Sequence, residues 1–341
     1  MSRAVIFGCA GPRLSPEETK FFKDADPWAF ILFGRNLENA DQIRALCADL
    51  RTTIGWHAPV FIDQEGGRVA RLAPPLARRW LPALDMVTDR DVSTASRMMW
   101  IRSRLIALDL LTQGIDGNCA PVADVARDET HTIMQNRCYG RDPDFVAKVA
   151  RAGAKGHLAG GVLPVLKHLP GYGRATLDSH FALPLVSASL EELETTDFAA
   201  FHALSDLPLG MTAHIRMDAL DPELPATLSP IVMKYVRQDI GFGGLLMTDD
   251  LSMQALPGTL GDRTRATIEA GVDIALHCNG DLGEMSDVLG EVPELSDQSL
   301  VRADRALDAR QPPIDIDIEG LEAEFETLSQ ASPSHAGPNP I

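Results

Sequence analysis

The sequence has few of the features that hold metals or stabilise small secreted domains. Its five cysteines are odd in number and form neither a CxxC pair nor a Cys/His ligand spacing: Cys9, Cys47, Cys119, Cys138 and Cys278. A disulfide framework or a zinc centre needs such spacing. We therefore expect buried, reduced thiols in a reducing compartment, and no bound metal.

Long apolar runs are also missing. No stretch approaches the ~20 consecutive apolar residues of a membrane span. The apolar run before Cys9 covers only Ala4–Phe7, whereas the core of a signal peptide has about 7–15 apolar residues. We interpret this run as a first buried strand, and we predict a cytoplasmic protein without a membrane partner.

Positive charge is scarce, with 31 Lys and Arg against 48 Asp and Glu and a formal net charge of −17. No run of basic residues offsets it, so the chain should repel nucleic acids and anionic lipid surfaces. Hydrophobic residues nevertheless make up 45% of the 341 residues. That share is enough for a large core and excludes a disordered chain.

Eight short apolar runs recur along the chain, and stretches with helical spacing separate them. The runs cover residues 4–8, 29–33, 59–62, 117–122, 163–167, 209–215, 245–248 and 273–276. They are almost continuously apolar, as parallel strands buried on both faces are. This alternation predicts an α/β fold, a single-domain (β/α)₈ TIM-type barrel over residues 1–329. A doubly wound sheet is the alternative, because closure cannot be seen in a sequence.

Helix and tail signals agree with this reading. Ser15 before Pro16 predicts a helix start, as does Ser189 three residues before a glutamate. Residues 40–51 carry apolar positions at helical spacing. Residues 330–341 are polar and rich in proline, which predicts a disordered tail.

Polar side chains follow the third run, at the end where a barrel carries its chemistry. Asp63 and Glu65 come directly after it, followed by two glycines that allow a tight turn or a close approach to a ligand. Asp63 is a candidate for binding substrate hydroxyls. The alternative is that Asp63 or Glu65 caps a helix, or pairs with Arg68 or Arg71.

The fifth run ends in Lys167 and His168, and the loop after it carries Asp178 and His180. Two residues apart in an extended segment, the loop pair shares one face. A carboxylate beside an imidazole fixes its tautomer and stabilises its protonated form, as acid/base chemistry requires. The alternatives are a histidine that only holds the loop and a Lys167/His168 pair satisfied at the barrel rim.

Two carboxylates, Asp249 and Asp250, end the seventh run. One can act as a nucleophile or stabilise an oxocarbenium-like centre, while the other caps the helix that follows. The residues alone do not say which is which, and both could be structural. Arg137, after the fourth run, could bind a sugar, keep a catalytic carboxylate ionised, or lie on the surface.

Together these segments resemble glycoside hydrolase family 3. The similar stretches are IDQEGGRVARL, NRCYG, KHLPGYGRATLDSH and MTDDLSM, with ILFGRNLEN at 31–39 and APVADV at 120–125. More narrowly, they are similar to the single-domain bacterial β-N-acetylhexosaminidases that act in peptidoglycan recycling. The resemblance extends from about Arg3 to Asn279, and the KHLPGYGRATLDSH stretch is its most specific part.

The resemblance implies a role for each residue at a matching position. Asp249 is the nucleophile, and His180 is the general acid/base, supported by Asp178. The residues implied to hold the N-acetylglucosamine unit are Asp63, Arg71, Arg137, Lys167 and His168.

The implied activity is that of a retaining exo-β-N-acetylglucosaminidase that needs no cofactor or metal. Its partner would be a small sugar or muropeptide such as a GlcNAc–anhydro-muramyl compound, and we expect a monomer. Two alternatives stay open. One is a phosphorylase, because a histidine acid/base does not repel incoming phosphate as a carboxylate would. The other is a sugar-binding barrel without turnover.

Overall fold

A computed structural model describes residues 2–177, 179 and 182–330, and eight parallel strands close into a barrel there. Each strand pairs with the next along the chain, and the last pairs with the first, with Val5 opposite Ala275. The strands are β1 Arg3–Gly8, β2 Pro27–Leu32, β3 Val60–Ile62, β4 Gly117–Asn118, β5 Leu163–Leu169, β6 Leu209–Thr212, β7 Leu245–Asp250 and β8 Ile274–His277. The predicted barrel is confirmed, and the doubly wound alternative is wrong.

Helices cover the outside of the barrel. Within the described residues they are α1 Pro16–Ala25, α2 Ala40–Ile54, α3 Ala83–Val87, α4 Val92–Thr112, α5 Thr132–Gln135, α6 Pro143–Ala159, α7 Leu190–Thr195, α8 Asp197–His202, α9 Pro230–Gln238, α10 Leu260–Ala270, α11 Leu282–Leu289, α12 Asp297–Asp308 and α13 Ile318–Gln330. The predicted starts are confirmed. Ser15 and Glu18 cap α1 reciprocally, and the Ser189 hydroxyl accepts from the N–H of Glu192 at 3.2 Å.

Alternate residues of the strands fill the inside of the barrel. Ile6, Phe61, Val165 and Met247 belong to one buried cluster in the interior. Their neighbours along the strands point outward and pack against the helices. This burial of both faces explains why the strands are continuously apolar in the sequence.

Two strands are shorter than their apolar runs. β4 ends at Asn118 although its run continues to residue 122, and Pro121 within that run has no N–H to donate to a neighbouring strand. Contact with β5 continues irregularly: the carbonyls of Ala120 and Pro121 accept from the N–H groups of Val165 and Lys167, and Val122 forms a bridge with Lys167. β6 ends at Thr212, and the imidazole of His214 then contacts the Thr227 hydroxyl and the carbonyl of Asp250 at the end of β7.

Three further features bear on the sequence predictions. All five cysteines are buried free thiols. No helix within the described residues is long and apolar enough to cross a membrane. α13 ends at Gln330, and residues 331–341 of the predicted tail lie outside the described residues.

A buried imidazole on α6 contacts the barrel wall at the carboxyl end of β4. His157 donates from Nδ1 to the carbonyl of Gly153 at 3.0 Å, and its Nε2 accepts from the Asn118 amide at 2.8 Å. The Asn118 amide also binds the backbone N–H and C=O of Gln64, each at 2.9 Å. Burial lowers the pKa of His157 to about 4, so this imidazole is neutral at pH 7.

We expect His157 to make the fold sensitive to acid. The unfolded chain takes up this proton near pH 6.5, whereas the folded chain does not until about pH 4. The unfolded state therefore binds more protons in this window, and stability falls as the pH drops through it, by about 3 kcal/mol in all. Urea unfolding of the wild type and of His157→Gln at pH 7.5, 6 and 4.5 measures this contribution. The variant should lose less stability between pH 7.5 and 4.5, and equal losses would contradict the assignment.

Candidate active site

A cavity of about 630 Å³ opens at the carboxyl ends of the barrel strands. Six of the eight predicted site residues line it: Asp63, Arg71, Arg137, Lys167, His168 and Asp249. The predicted acid/base pair, Asp178 and His180, lies outside the described residues. Its neighbours Leu177 and Ser179 also line the cavity. The volume falls within the range of small-molecule sites.

Lys167 joins two carboxylates at the floor of the cavity. Its ammonium lies 2.9 Å from Asp63 Oδ1 and 2.8 Å from Glu65 Oε1, and only 2% of its side chain is exposed. Arg71 reaches the other oxygen of Asp63 at 3.1 Å. The Asp63–Arg71 ion pair considered from the sequence is therefore present, and both partners face the cavity.

These groups hold one another in their charged forms. Burial opposes ionisation of Asp63, but Lys167 and Arg71 keep its pKa below the ordinary value. Burial also opposes ionisation of Glu65, but Arg137 and Lys167 lower its pKa to about 2. Burial alone would lower the pKa of Lys167, and the two carboxylates instead raise it above the ordinary value. A fixed array of opposite charges results at neutral pH.

Arg137 belongs to this array and is not a surface residue, since only 15% of its side chain is exposed. Its guanidinium makes two bonds with the Glu65 carboxylate, at 2.7 and 3.0 Å. The same Nη2 lies 3.3 Å from Nε2 of His168. A bidentate pair of this kind fixes the plane of the guanidinium, so its remaining N–H groups have a set direction.

Asp124 orients His168 from the side of the ring that faces away from the cavity. The Nδ1 atom of His168 lies 2.7 Å from Asp124 Oδ2, and the other carboxylate oxygen accepts from the N–H of Tyr172 at 2.7 Å. A carboxylate at Nδ1 assigns the proton to that nitrogen, which leaves Nε2 of a neutral imidazole as an acceptor toward Arg137 and the cavity.

A bulge at the end of β7 places Asp249 in the cavity. The pairing of β7 with β8 shifts register between Met247 and Asp250. The Thr248 hydroxyl accepts the N–H of Leu276 at 2.9 Å across the shift. Bulges of this kind redirect side chains next to active sites. One oxygen of the Asp249 carboxylate accepts the N–H of Asp250 at 2.8 Å.

Asp250 does not cap a helix, so that prediction is wrong. Its carboxylate accepts from the N–H and the hydroxyl of Ser252, at 3.1 and 2.7 Å, and from the N–H of Cys278 at 3.3 Å. The next helix, α10, begins only at Leu260 and is capped by Thr259. The carboxylate instead holds a turn directly after the strand.

The two glycines after Glu65 make the predicted tight turn. Gly66 and Gly67 have φ angles of +89° and +61°, where the segment Gln64–Gly66 turns back to pair with Val69–Ala70. A Cβ on Gly66 would collide with the Arg102 guanidinium. The reversal brings Arg71 back over the cavity, where it meets Asp63.

The sequence did not predict a role at this end of the barrel for three residues: Asp124, His214 and, as the partner of Lys167, Glu65. Glu65 was considered only as a cap or a partner of nearby arginines, yet it holds Lys167 and Arg137. Asp124 lies two residues after the fourth apolar run, and His214 lies one residue before the end of the sixth. An isolated polar residue at the carboxyl end of an apolar run was the available signal for both.

Removing the Lys167 ammonium should destabilise the protein strongly. In Lys167→Met, the largely enclosed carboxylates of Asp63 and Glu65 would each keep one arginine but would lose the buried cation that they share. Breaking a buried pair in this way costs about 3–5 kcal/mol. Urea unfolding at pH 7 measures the loss.

The control for this prediction is Lys155→Met, because Lys155 is an exposed lysine of α6. Its loss should stay within about 0.5 kcal/mol. Equal stability of the two variants would show that Lys167 does not hold the carboxylate pair.

Comparison with known families agrees with this geometry. The family described as "Glycosyl hydrolase family 3 N terminal domain" matches residues 7–306. The chain belongs to this family. It is therefore a glycoside hydrolase on a TIM barrel, and the resemblance found in the sequence is confirmed.

Curated relatives and solved structures extend the match. The chain is 36% identical over 284 residues to a beta-hexosaminidase of Neisseria gonorrhoeae, covering 81% of this chain and 78% of that protein. It is 36% identical over 307 residues to a beta-hexosaminidase of Alkalilimnicola ehrlichii, covering 87% of each. Native NagZ from Neisseria gonorrhoeae superposes with a TM-score of 0.82 at 30% identity over 96% of both chains.

Proposed function

We propose that this family 3 hydrolase is a retaining exo-β-N-acetylglucosaminidase. The supporting observation is one cavity in which a strand-end carboxylate, Asp249, faces the fixed array around Lys167. Curated relatives carry the name beta-hexosaminidase. NagZ from Neisseria gonorrhoeae, whose fold is similar, is also known in complex with N-trifluoroacetyl-D-glucosamine.

In this proposal Asp63 and Lys167, which carry opposite charges, both bind hydroxyl groups of the sugar. An ionised carboxylate accepts from hydroxyl protons, and an ammonium donates to hydroxyl oxygens, so the pair selects a neutral polyol. Arg71, Arg137 and His168 add directed groups at the wall of the same cavity. Because each of these groups is already paired with another charged side chain, little reorganisation is required when the sugar binds.

The proposed reaction has two steps. Asp249 attacks the anomeric carbon while protonated His180, paired with Asp178, gives its proton to the leaving oxygen. The bond to the aglycone breaks, and a glycosyl ester on Asp249 forms. Neutral His180 then removes a proton from water, which attacks the ester and releases the sugar with net retention.

We further propose a substrate from the cell wall. A GlcNAc–anhydro-muramyl sugar, with or without its peptide, would place GlcNAc in the cavity and the muramyl unit outside it. This assignment implies a role in peptidoglycan recycling in the cytoplasm, and neither a cofactor nor a macromolecular partner.

The test is turnover of 4-nitrophenyl N-acetyl-β-glucosaminide beside the matching β-glucoside, each in an inert buffer and in phosphate. We expect N-acetylglucosamine as the product, little action on the glucoside, and no dependence on phosphate. A sugar 1-phosphate that forms only in phosphate would show a phosphorylase. No turnover on either glycoside would favour a sugar-binding barrel.

A further inference from the structure

Asp250 forms hydrogen bonds through its N–H, its carboxylate and its carbonyl, and the proposed reaction assigns no role to these contacts. Its N–H donates to Asp249 Oδ1 at 2.8 Å. Its carboxylate is held by Ser252 and Cys278, as described above. Its carbonyl accepts from Nε2 of His214 at 2.9 Å and from the N–H of Met253 at 3.1 Å. Asp250 thus carries a donor to the expected nucleophile, and contacts with four residues set the direction of that donor: Ser252, Cys278, Met253 and His214, of which His214 is the only one outside the strand ends and turns of β7 and β8.

His214 is buried completely, and both ring nitrogens have partners. Nδ1 lies 2.8 Å from the hydroxyl of Thr227, which lies 2.8 Å from the hydroxyl of Thr212. The Asp250 carbonyl is only an acceptor, so Nε2 carries a proton and donates to it. The Thr227 hydroxyl has one proton, and both Nδ1 of His214 and the Ala213 carbonyl, at 3.0 Å, lie within its reach. Burial lowers the pKa of His214, against the opposing effect of the Asp249 carboxylate, which agrees with a neutral ring.

We infer that His214 is a positioning residue for the nucleophile, acting through the main chain of Asp250. Its Nε2–H holds the Asp250 carbonyl, and this contact keeps the Asp250 N–H pointing at Asp249 Oδ1. The N–H occupies one carboxylate oxygen and leaves the other to face the sugar. The inference rests on the proposed function, in which Asp249 attacks the anomeric carbon.

The structure favours this role over simple packing. His214 does not line the cavity, so it would not contact a bound sugar. It follows β6, the strand beside β7, and therefore connects two neighbouring strand ends across the floor of the site. A hydrophobic residue of similar size could fill this space, but it could not donate to the Asp250 carbonyl.

Two substitutions of His214 distinguish the contribution of Nε2 from that of Nδ1. The amide nitrogen of His214→Gln lies where Nε2 was and can still donate to the Asp250 carbonyl. His214→Asn reaches only the Nδ1 position, keeps a partner for Thr227 and loses the other contact. Each variant is measured for nitrophenolate release in a single turnover, for binding of free N-acetylglucosamine and for thermal stability.

We expect His214→Asn to slow the first step by about 10- to 50-fold, as the loss of one well-placed hydrogen bond near a charge does. Binding of N-acetylglucosamine should change by less than about twofold, because the sugar-binding groups are untouched. His214→Gln should recover most of the rate. Equal rates in the two variants, whether both fast or both slow, would overturn the inference.

Crystal structures of the wild type and His214→Asn provide a readout that does not depend on turnover. We expect the distance from Asp249 Oδ1 to the Asp250 N–H to exceed about 3.5 Å in the variant, beyond hydrogen-bond range. An unchanged distance would overturn the inference even if the proposed function holds. Absence of wild-type turnover would instead count against the proposed function and leave this structural test valid.

Discussion

Replacing Asp249 with alanine should abolish turnover and leave the fold intact. The side chain lies at the bulged end of β7, faces the cavity and accepts one backbone N–H within the described residues. Without it no carboxylate can form the glycosyl ester, and loss of a nucleophile lowers kcat by about 10⁴-fold or more. Nitrophenolate release and circular dichroism, measured together, check the two parts of this expectation.

Asp250→Ala is the matched control for this experiment, because it removes a neighbouring carboxylate with a different role. That variant loses the bonds to Ser252 and Cys278, which should destabilise the fold by about 1–3 kcal/mol. Its catalytic loss should be far smaller than that of Asp249→Ala. If Asp250→Ala were inactive but well folded while Asp249→Ala kept its activity, the assignment of the pair would be reversed.

Removing His180 should affect substrates with poor leaving groups most. An alkoxide needs a proton in the transition state, whereas a nitrophenolate hardly does. General acid catalysis contributes about 10²–10⁴-fold, and His180→Ala should lose about that much on a natural disaccharide. The first-step rate of His180→Ala on an aryl glycoside should fall much less. Asp178→Ala should show the same pattern more weakly, because the imidazole remains but loses its orienting partner.

A series of aryl glycosides with different leaving-group pKa values, measured in single turnovers, tests this role. The first-step rate of His180→Ala should depend more steeply on leaving-group pKa than the rate of the wild type. The same dependence in both proteins would show that His180 is not the acid. Glu65 offers no ready substitute, because Arg137 and Lys167 keep it ionised.

The barrel could be predicted because its signals are local and repeated. Each strand buries both faces, so its apolar run stands out, and serine caps mark helices such as α1 and α7. Strand ends were less predictable, as β4 shows, because its regular pairing ends at Asn118, four residues before its apolar run does. The position of the site followed from the fold, since polar residues cluster after strands.

The partners within the site could not be predicted in the same way. Glu65 binds Lys167 and Arg137, which are 102 and 72 residues away in the chain, and no local pattern encodes such contacts. The role of Asp250 depended on where α10 begins, and the intervening turns delay that helix to Leu260. His214 lay inside an apolar run and looked like part of a strand. Its function depends on Asp250 at the end of the next strand.

Covalent trapping of the sugar on the enzyme tests the central claim most directly. A 5-fluoro-N-acetylglucosaminyl fluoride has a good leaving group and a destabilised oxocarbenium-like centre, so its glycosyl ester should accumulate. Mass spectrometry of the digested protein should then find one added fluoro-sugar, on Asp249. A fluoro-sugar attached to Asp250 or Glu65 would contradict the account. Hydrolysis of the reagent without any labelled residue would also contradict it.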